Sequence, residues 1–342
     1  MRMNKNVYLC PKNNTITMKK ALAYFVISMF FHGLLQAQDT SSPTASGEDE
    51  EWAYQLVFSD EFDGPDGSAP DPAKWQSSTR YSSTWNRWIA DSLAVAHIQN
   101  GSLLCRAIRN RNRTADDVPM ITGAVETRNR FSFTYGKVEV RLRTNLHKGN
   151  FPAAWMMPQP PCEGWPRAGE IDIFESIDNQ SIAYHTVHSN WTFNLGHRSD
   201  PVSSFSEEVA VNGWHVYALE WTETKLIWLV DGNVVGTYEK STNQQALAQG
   251  QWPFDHPFYL ILNQSVGDGT WAKDADTNYT YNTYFDYIRV YQRVPSGFRA
   301  IPAQSAFSAE SDAPVFDLCG RPVQPPLKPG LYFSRGHKFI VR

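Results

Sequence analysis

The chain has 342 residues and a formal net charge of −4, with 42% hydrophobic and 19% charged residues. This composition excludes a disordered chain and removes any general electrostatic argument for binding nucleic acid or an anionic membrane. Aromatic residues make up 13% of the chain, with 12 Trp, 15 Tyr and 19 Phe, which favours a protein that binds flat or ring-shaped ligands such as sugars.

The N-terminal region is interpreted as targeting and linker sequence. Residues 21–35 (ALAYFVISMFFHGLL) form an apolar run between a basic start and a polar stretch. Such a run is typical of a secretory signal peptide and is short for a membrane span. We therefore predict that Met18 is the true start, that residues 1–37 comprise an over-long start plus the signal peptide, and that residues 38–51 are a linker.

Residues 52–293 are dense in apolar and aromatic side chains and contain short alternating runs in place of long amphipathic helices. Within KVEVRLR, Val138, Val140 and Leu142 share one face and charged residues occupy the other. A period of two predicts a half-buried strand.

Turn signals separate further short strands in this region. Asp231-Gly232-Asn233 lies between two apolar runs and predicts a hairpin. Many short strands at close spacing predict an antiparallel sandwich or barrel. The additional predicted elements are strands at residues 226–230, 234–238, 259–262 and 285–292 and a short helix at residues 244–249.

Residues 164–176 (GWPRAGEIDIFES) carry the clearest chemical signal, because three acids occur within six residues. On a regular strand Glu170 and Asp172 share a face, whereas Glu175 would point into the core, where a lone carboxylate is unfavourable. One β-bulge at residues 173–174 would return Glu175 to the face of Glu170.

Three carboxylates on one face repel each other, so at least one pKa is expected to rise. This pattern suits catalysis by one carboxylic acid and one carboxylate, and a separation of ~5–5.5 Å is the arrangement of a retaining glycosidase. Two other interpretations remain open from the spacing alone. They are a solvated acidic strand and a Ca²⁺ site.

The pattern E-I-D-I-F-E resembles the catalytic signature of glycoside hydrolase family 16 in its bulged E-x-D-x-x-E form. The resemblance extends over residues 52–292, because further blocks follow in the family's order. These blocks are residues 59–64 (SDEFDG), 135–143 (YGKVEVRLR), 152–158 (PAAWMMP), 186–189 (TVHS), 229–232 (LVDG), 258–267 (FYLILNQSVG) and 285–292 (FDYIRVYQ). It implies an all-β fold, an antiparallel β-sandwich jelly roll with a concave substrate cleft.

The resemblance also implies roles for individual residues. Glu170 would be the nucleophile, Glu175 the general acid/base, and Asp172 the helper between them. Substrate would be bound by Trp155, Trp165, His188, Asn263 and Trp271. Core packing is the alternative for Trp155, Trp165 and His188, and a turn or edge role is the alternative for Asn263.

No cofactor is expected to be required for catalysis, but a structural Ca²⁺ is a possibility that the resemblance raises. Glu61 and Asp286 match positions that can supply oxygen ligands to a hard cation. Both could equally be solvated or paired with Arg289.

The C-terminal region is predicted to comprise a linker at residues 294–313 and a small unit of short strands at residues 314–342. The latter resembles the short C-terminal sorting-type segment of some Gram-negative secreted proteins, and a simple β appendage is the alternative. We expect a protein secreted from, or held on the surface of, a Gram-negative bacterium, with no stable membrane insertion after signal cleavage.

The resulting functional expectation is a monomeric, endo-acting, retaining β-glucanase whose partner is a polysaccharide, either mixed-linkage β-1,3-1,4-glucan or β-1,3-glucan. Residues 150–161 and 186–192 look most like glucan-cleaving members of the family. A galactan hydrolase (agarase- or porphyranase-like), a non-catalytic glucan-binding lectin and a glycosyl transferase activity remain alternatives. Cationic residues that could serve a galactan hydrolase are Arg80, Arg87, Arg128 and Arg130.

Overall fold

The computed structural model describes most of the chain after its first 51 residues. The described residues are 52–295, 315–316, 322–324, 330–334 and 337–341. The predicted signal peptide and first linker lie outside them, as does nearly all of the predicted second linker. No helix in the described part is long and apolar enough to cross a membrane.

Antiparallel strands account for almost all regular structure between residues 52 and 295. The strands are β1 (Trp52–Asp60), β2 (Gln76–Ser77), β3 (Ala96–Ile98), β4 (Leu103–Arg109), β5 (Met120–Glu126), β6 (Gly136–Thr144), β7 (Asn150–Pro158), β8 (Glu170–Glu175), β9 (Ile182–His188), β10 (Ser204–Glu208), β11 (His215–Trp221), β12 (Lys225–Val230), β13 (Asn233–Glu239), β14 (Phe258–Val266) and β15 (Tyr281–Pro295). One π-helical turn spans Asn190–Asn194, and the helix α1 spans Gln244–Ala248.

The strands form two layers that are joined where β4 pairs with β5. One layer, here called the cleft sheet, has the order β10-β9-β8-β7-β14-β5, and the other, the back sheet, has the order β4-β15-β6-β11-β12-β13. β1 pairs with β15 on the back sheet. The antiparallel β-sandwich of jelly-roll type predicted from the sequence is therefore confirmed.

The core lies between the two sheets and follows the predicted alternation. Along β6, buried and half-buried residues alternate without exception, with Val138, Val140 and Leu142 inside. They join one cluster with Ile171 and Ile173 of the cleft sheet. Full burial of a large aliphatic side chain contributes about 1.5–3 kcal/mol, so the alternation of each strand decides which face meets the other sheet.

The predicted hairpin and short helix are both present. β12 and β13 are joined by Asp231 and Gly232 at φ 49° and 83°. Two left-handed residues make the tight turn that suits the twist of a hairpin, and Asn233 already belongs to β13. The helix α1 begins after Asn243, whose side chain accepts hydrogen bonds from the amides of Gln245 and Ala246.

The described residues after residue 314 form a second antiparallel sheet of four short strands, so the short strands predicted there are present. Its strands are β16 (Val315–Phe316), β17 (Pro322–Val323), β18 (Gly330–Ser334) and β19 (His337–Val341). Their order in the sheet is β17-β16-β18-β19.

Candidate active site

The three acids of residues 164–176 lie on β8, near the centre of the cleft sheet, and the predicted β-bulge is present. Against β9, Asp172 pairs with Thr186 and Glu175 pairs with Tyr184, so two residues of β8 occupy the space opposite one residue of β9. Against β7 the register shifts at the same place. The bulge restores Glu175 to the side of the sheet that carries Glu170.

Burial explains why the strand bulges at residues 173–174. Ile173 and Phe174 are consecutive apolar residues, and both are completely buried. In a regular strand one of them would face the cleft and Glu175 would face the core. The bulge places both apolar side chains in the core and leaves all three carboxyl groups lining the cleft.

The cleft above these acids has a volume of about 1040 Å³ and is rich in aromatic side chains. A volume at the upper end of the range for small-molecule sites suits several sugar units of a longer chain. Flat rings also match the apolar faces of sugars. The aromatic lining residues are Tyr81, Trp85, Phe151, Trp155, Trp165, Tyr184, Phe193, Tyr259 and Trp271.

Glu170 is the best supported of the three carboxyl groups. The indole Nε1 of Trp165 donates a hydrogen bond to Glu170 Oε2 at 2.8 Å, and His188 Nε2 lies 3.6 Å from Glu170 Oε1. Burial, followed by the charge of Asp172, raises the pKa of Glu170 to about 8, and these two neighbours act in the opposite direction.

Neither Glu175 nor Asp172 Oδ2 accepts a hydrogen bond comparable to the one that Trp165 donates to Glu170. No group in residues 52–295 donates a hydrogen bond to the Glu175 carboxyl, and Asp172 Oδ2 is buried without a hydrogen-bond partner, 3.4 Å from His188 Nε2. Burial raises the pKa of both groups, and the charges of Asp172 and Glu170 raise that of Glu175 further. Negative charge is therefore favoured on Glu170 and a retained proton on Glu175.

Glu170, Asp172 and His188 are also the one group of three in the described part of the chain with the spacing of metal ligands. Their donor atoms lie within 4.8 Å of one another. The same spacing suits a shared proton, because two carboxyl groups this close cannot both ionise easily.

The five predicted substrate-binding residues all line this cleft, but they differ in exposure and in partners. Trp165 and Trp271 are exposed at 47% and 45%. Trp165 packs edge-on against Phe193, and Trp271 packs against Phe151 and Tyr184. These two rings are the accessible ones that could contact a sugar face.

Trp155 and Asn263 lie deeper and bind each other. Trp155 Nε1 donates to Asn263 Oδ1 at 2.8 Å, and Asn263 Nδ2 donates to Ser265 Oγ. Trp155 is 5% exposed and Asn263 is 1% exposed. They form the floor of the cleft. Most of the Trp155 ring is packed against other side chains, as in the core-packing alternative.

Sequence reasoning missed several lining residues, Trp85, Tyr259 and Glu126 among them. Trp85 meets Trp155 edge-on with ring centroids 4.8 Å apart. Its occurrence in the polar loop YSSTWNRW was a usable signal, because a Trp among polar residues has little core to join. Tyr259 gave no such signal, since it sits in an apolar strand.

The four arginines considered for a galactan substrate have different places. Arg128 lines the cleft and pairs with the buried Glu126 at 2.6 Å. Arg80 forms a bidentate pair with Asp116, and Arg87 donates to the carbonyl oxygens of Thr84 and Gly267. Arg130 lines a smaller cavity of about 420 Å³ beside Trp75. Of these four, Arg128 is the one in the cleft.

The two candidate calcium ligands lie on the back-sheet side and are each held by an arginine. Glu61 accepts two hydrogen bonds from Arg289, at 2.9 and 2.7 Å, which lower its pKa. Asp286 pairs with Arg141. The pairing of Glu61 with Arg289 is the alternative that the sequence left open, and the calcium site stays a prediction.

Comparison with known proteins identifies the same region. The model of glycosyl hydrolases family 16 matches residues 95–287. A keratan-sulfate endo-1,4-β-galactosidase of Sphingobacterium multivorum is 35% identical over 70% of this chain and 55% of its own length. A β-glucanase of Rhodothermus marinus is 33% identical over 70% of this chain and 86% of its own length.

A solved structure gives the same match in three dimensions. The laminarinase from Rhodothermus marinus aligns with 71% of this chain and 99% of its own length, at 32% identity and a TM-score of 0.63. The chain therefore spans nearly all of that catalytic structure, but only about half of the keratan-sulfate galactosidase.

Proposed function

Because the chain belongs to the glycosyl hydrolases of family 16, we propose that it is an endo-acting, retaining β-glucanase that hydrolyses its substrate by double displacement. The observation that carries this proposal is the bulged β8, which presents Glu170, Asp172 and Glu175 together in an aromatic cleft.

The first step of the proposed mechanism forms a covalent intermediate. A carboxylate oxygen of Glu170 attacks the anomeric carbon while the bond to the leaving oxygen breaks, and Glu175 gives its proton to that oxygen. The hydrogen bond from Trp165 and the nearby ring of His188 favour the ionised Glu170, and the absence of donors to Glu175 within residues 52–295 favours its protonated form. Asp172 lies between them and holds the shared proton near Glu170.

The second step releases the sugar. Glu175, now ionised, takes a proton from a water molecule, whose oxygen attacks the anomeric carbon and expels Glu170. Two inversions give overall retention of configuration. A sugar hydroxyl in place of water would give glycosyl transfer, which uses the same residues.

The proposed substrate is β-1,3-glucan or mixed-linkage β-1,3-1,4-glucan. The β-glucanase and laminarinase relatives support this choice. The exposed rings of Trp165 and Trp271 at the cleft are consistent with it, since stacking suits an uncharged sugar chain.

A sulfated or anhydro-sugar galactan is the second candidate substrate, and a specific observation favours it. Arg128 adds a cation to the cleft wall, and one relative is a keratan-sulfate endo-1,4-β-galactosidase. Arg128 is neutralised by Glu126, which weakens its attraction for an anionic substituent. A non-catalytic lectin is disfavoured because both Glu170 and Glu175 are present and line the cleft.

The test is an assay of the purified protein on laminarin, barley mixed-linkage glucan, agarose, porphyran and keratan sulfate. We expect the fastest cleavage on one of the glucans, internal cuts that release oligosaccharides, and a β anomer as the first product seen by NMR. Activity confined to galactans would replace the substrate proposal. An α anomer formed first would contradict retention, and inactivity on all five would contradict the hydrolase.

The proposed location of the protein rests on the sequence patterns of residues 1–37 and 314–342. We infer export through the N-terminal signal peptide to the medium or cell surface of a Gram-negative bacterium, where a polysaccharide is accessible. The C-terminal sheet is proposed as the sorting segment, and the protein is proposed to act as a monomer. Fractionation of cells that express the full chain, with and without residues 314–342, tests both export and sorting.

A further inference from the structure

The bulge of β8 has a second side, which faces the core and is bound by two buried side chains. Ile173 has no register partner on β7 or on β9. The carbonyl of Asp172 accepts a hydrogen bond from Trp228 Nε1 at 2.9 Å. The carbonyl of Ile173 lies 2.7 Å from His185 Nδ1. Both carbonyls of the irregular segment are thus bound by side-chain rings.

Trp228 reaches the bulge from the opposite sheet. It belongs to β12 of the back sheet and is completely buried. Its ring packs against Phe205 of β10 at 5.4 Å. Gly236, the partner of Trp228 on β13, leaves room for Phe205, because a Cβ at Gly236 would lie 2.2 Å from that ring. The packing of Phe205 therefore restricts the position of the indole.

His185 binds the bulge from the neighbouring strand β9. It is completely buried, and burial lowers its pKa to about 4, so the ring is neutral at the pH where carboxylic acids and carboxylates coexist in the cleft. A neutral imidazole has one N–H. Nδ1 faces the Ile173 carbonyl, while Nε2 is buried without a hydrogen-bond partner. The single proton therefore belongs on Nδ1 and is committed to the bulge.

We propose that Trp228 and His185 are positioning residues, whose N–H groups hold the two carbonyls of the bulge in the core and thereby keep Glu175 on the cleft face. The inference rests on the proposed function. A buried carbonyl without a donor is unfavourable, so loss of either ring N–H favours rotation of the peptide and displacement of the residues that follow it.

The two glutamates depend on the bulge to different degrees. Glu170 precedes it, and Ile171 and Asp172 keep regular partners on both neighbouring strands. Glu175 follows it and reaches the cleft because of the extra residue. Loss of a ring donor should therefore impair the general acid/base more than the nucleophile.

The test compares two substrates that need the acid to different extents. Cleavage of a polysaccharide requires a proton on the leaving oxygen, whereas a 2,4-dinitrophenolate leaves without one. The value of kcat/KM reports the first chemical step for both, so their ratio isolates the acid. The probes are laminarin with 2,4-dinitrophenyl β-laminaribioside or, if the wild type prefers a galactan, that galactan with the 2,4-dinitrophenyl β-glycoside of its disaccharide.

The variants change one hydrogen bond at a time. Trp228→Phe and His185→Leu remove the donors, and His185→Asn restores an N–H near the position of Nδ1. Trp221→Phe is the matched control, because Trp221 is also buried and its Nε1 donates at 3.1 Å to the carbonyl of Phe254, away from the catalytic strand.

We expect Trp228→Phe and His185→Leu to lower kcat/KM for the polysaccharide by roughly 10–100-fold, part of the ~10²–10⁴-fold that general acid catalysis supplies. The value for the dinitrophenyl glycoside should change about twofold or less, and His185→Asn and Trp221→Phe should keep the wild-type ratio. A lower folded fraction of the enzyme would reduce the apparent kcat/KM for both substrates by the same factor and leave their ratio unchanged.

An unchanged ratio in both Trp228→Phe and His185→Leu overturns the inference while leaving the proposed function intact. If one of these variants yields no folded protein, the ratio in the other decides. A wild type that cleaves neither glucan nor galactan overturns the proposed function, and the inference with it.

Discussion

The two outward faces of the sandwich carry their charges in opposite ways. On the back sheet, acids and bases alternate and pair: Lys137 with Glu139 at 2.8 Å, and Arg289 with Glu61 at 2.7 Å. On the cleft sheet, three acids lie together, and within residues 52–295 the basic side chain beside them is His188.

This difference indicates that the acids of the candidate site reduce the stability of the folded protein. A paired carboxylate such as Glu61 has a lowered pKa, whereas the pKa of each acid on β8 is raised by burial. Groups with raised pKa values supply acid chemistry near neutral pH. The same groups destabilise the protein when they are forced to ionise.

The largest expected difference between the two faces is in activity, when a glutamate on each face is replaced by glutamine. Glu170→Gln removes the proposed nucleophile, and we expect hydrolysis to fall by at least about 10⁴-fold, as for other enzymes that lose a nucleophile. Binding should persist, because the cleft shape is kept. Initial rates on the preferred polysaccharide and affinity electrophoresis in a gel that contains it measure the two effects.

The control is Glu139→Gln, the same change on the outward side of β6, where the carboxylate pairs with Lys137. Its kcat should equal that of the wild type. Hydrolysis that survives in Glu170→Gln would refute the assignment of the nucleophile.

A smaller difference between the two faces is expected in how the free energy of unfolding depends on pH. The pKa of Glu175 is raised in the folded protein, so between its ordinary value and the raised one the folded state binds more protons than the unfolded state. Stability from this group is present at low pH and is lost as pH rises through that window. Glu175→Gln should therefore be more stable than the wild type at pH 8, on the order of 1 kcal/mol, or about 2–4 °C in Tm.

Thermal unfolding at pH 5 and pH 8 measures this gain, which should be smaller at pH 5. For Glu139→Gln, the change in Tm relative to the wild type should be the same at pH 5 and at pH 8. An equal change of Tm at both pH values in Glu175→Gln would mean that burial does not raise the pKa of the Glu175 carboxyl group.

The smallest expected effect is on the back sheet. Glu61→Gln removes one partly exposed bidentate pair, and we expect the free energy of unfolding to fall by about 0–1 kcal/mol, with kcat unchanged.

Thermal unfolding with EDTA and with CaCl₂ tests the predicted calcium site in the wild type and in Glu61→Gln. A Tm that rises with CaCl₂ in the wild type, but not in Glu61→Gln, supports calcium; equal Tm values in both solutions refute it.

Local residue patterns were enough to predict many of the strands and the bulge of β8. The period of two in β6 and the turn at Asp231 and Gly232 are set by near neighbours, so the predicted strands are present. The bulge was predictable because consecutive Ile173 and Phe174 next to an acid leave one arrangement without a buried carboxylate.

The walls of the cleft were harder to predict, because they are assembled from distant segments. Trp85 and Tyr259 line the site through contacts with Trp155. The polar neighbours of Trp85 in the chain are a local signal, but nothing near either residue identifies Trp155 as its partner. The resemblance predicts that Trp165 binds substrate. Its indole N–H donates a hydrogen bond to Glu170, a contact that depends on how the loop before β8 folds back.

Strand period, turn residues and the exclusion of charge from a core act over a few residues, so these patterns predict an antiparallel sandwich or barrel with three acids on one strand. The differences between those acids arise only from the tertiary structure. Glu170 accepts a hydrogen bond from Trp165 and lies near His188, and the carbonyl of Asp172 at the bulge accepts one from Trp228 of the other sheet. Proton affinity depends on burial and on neighbours in space, and the packing of the two sheets supplies both.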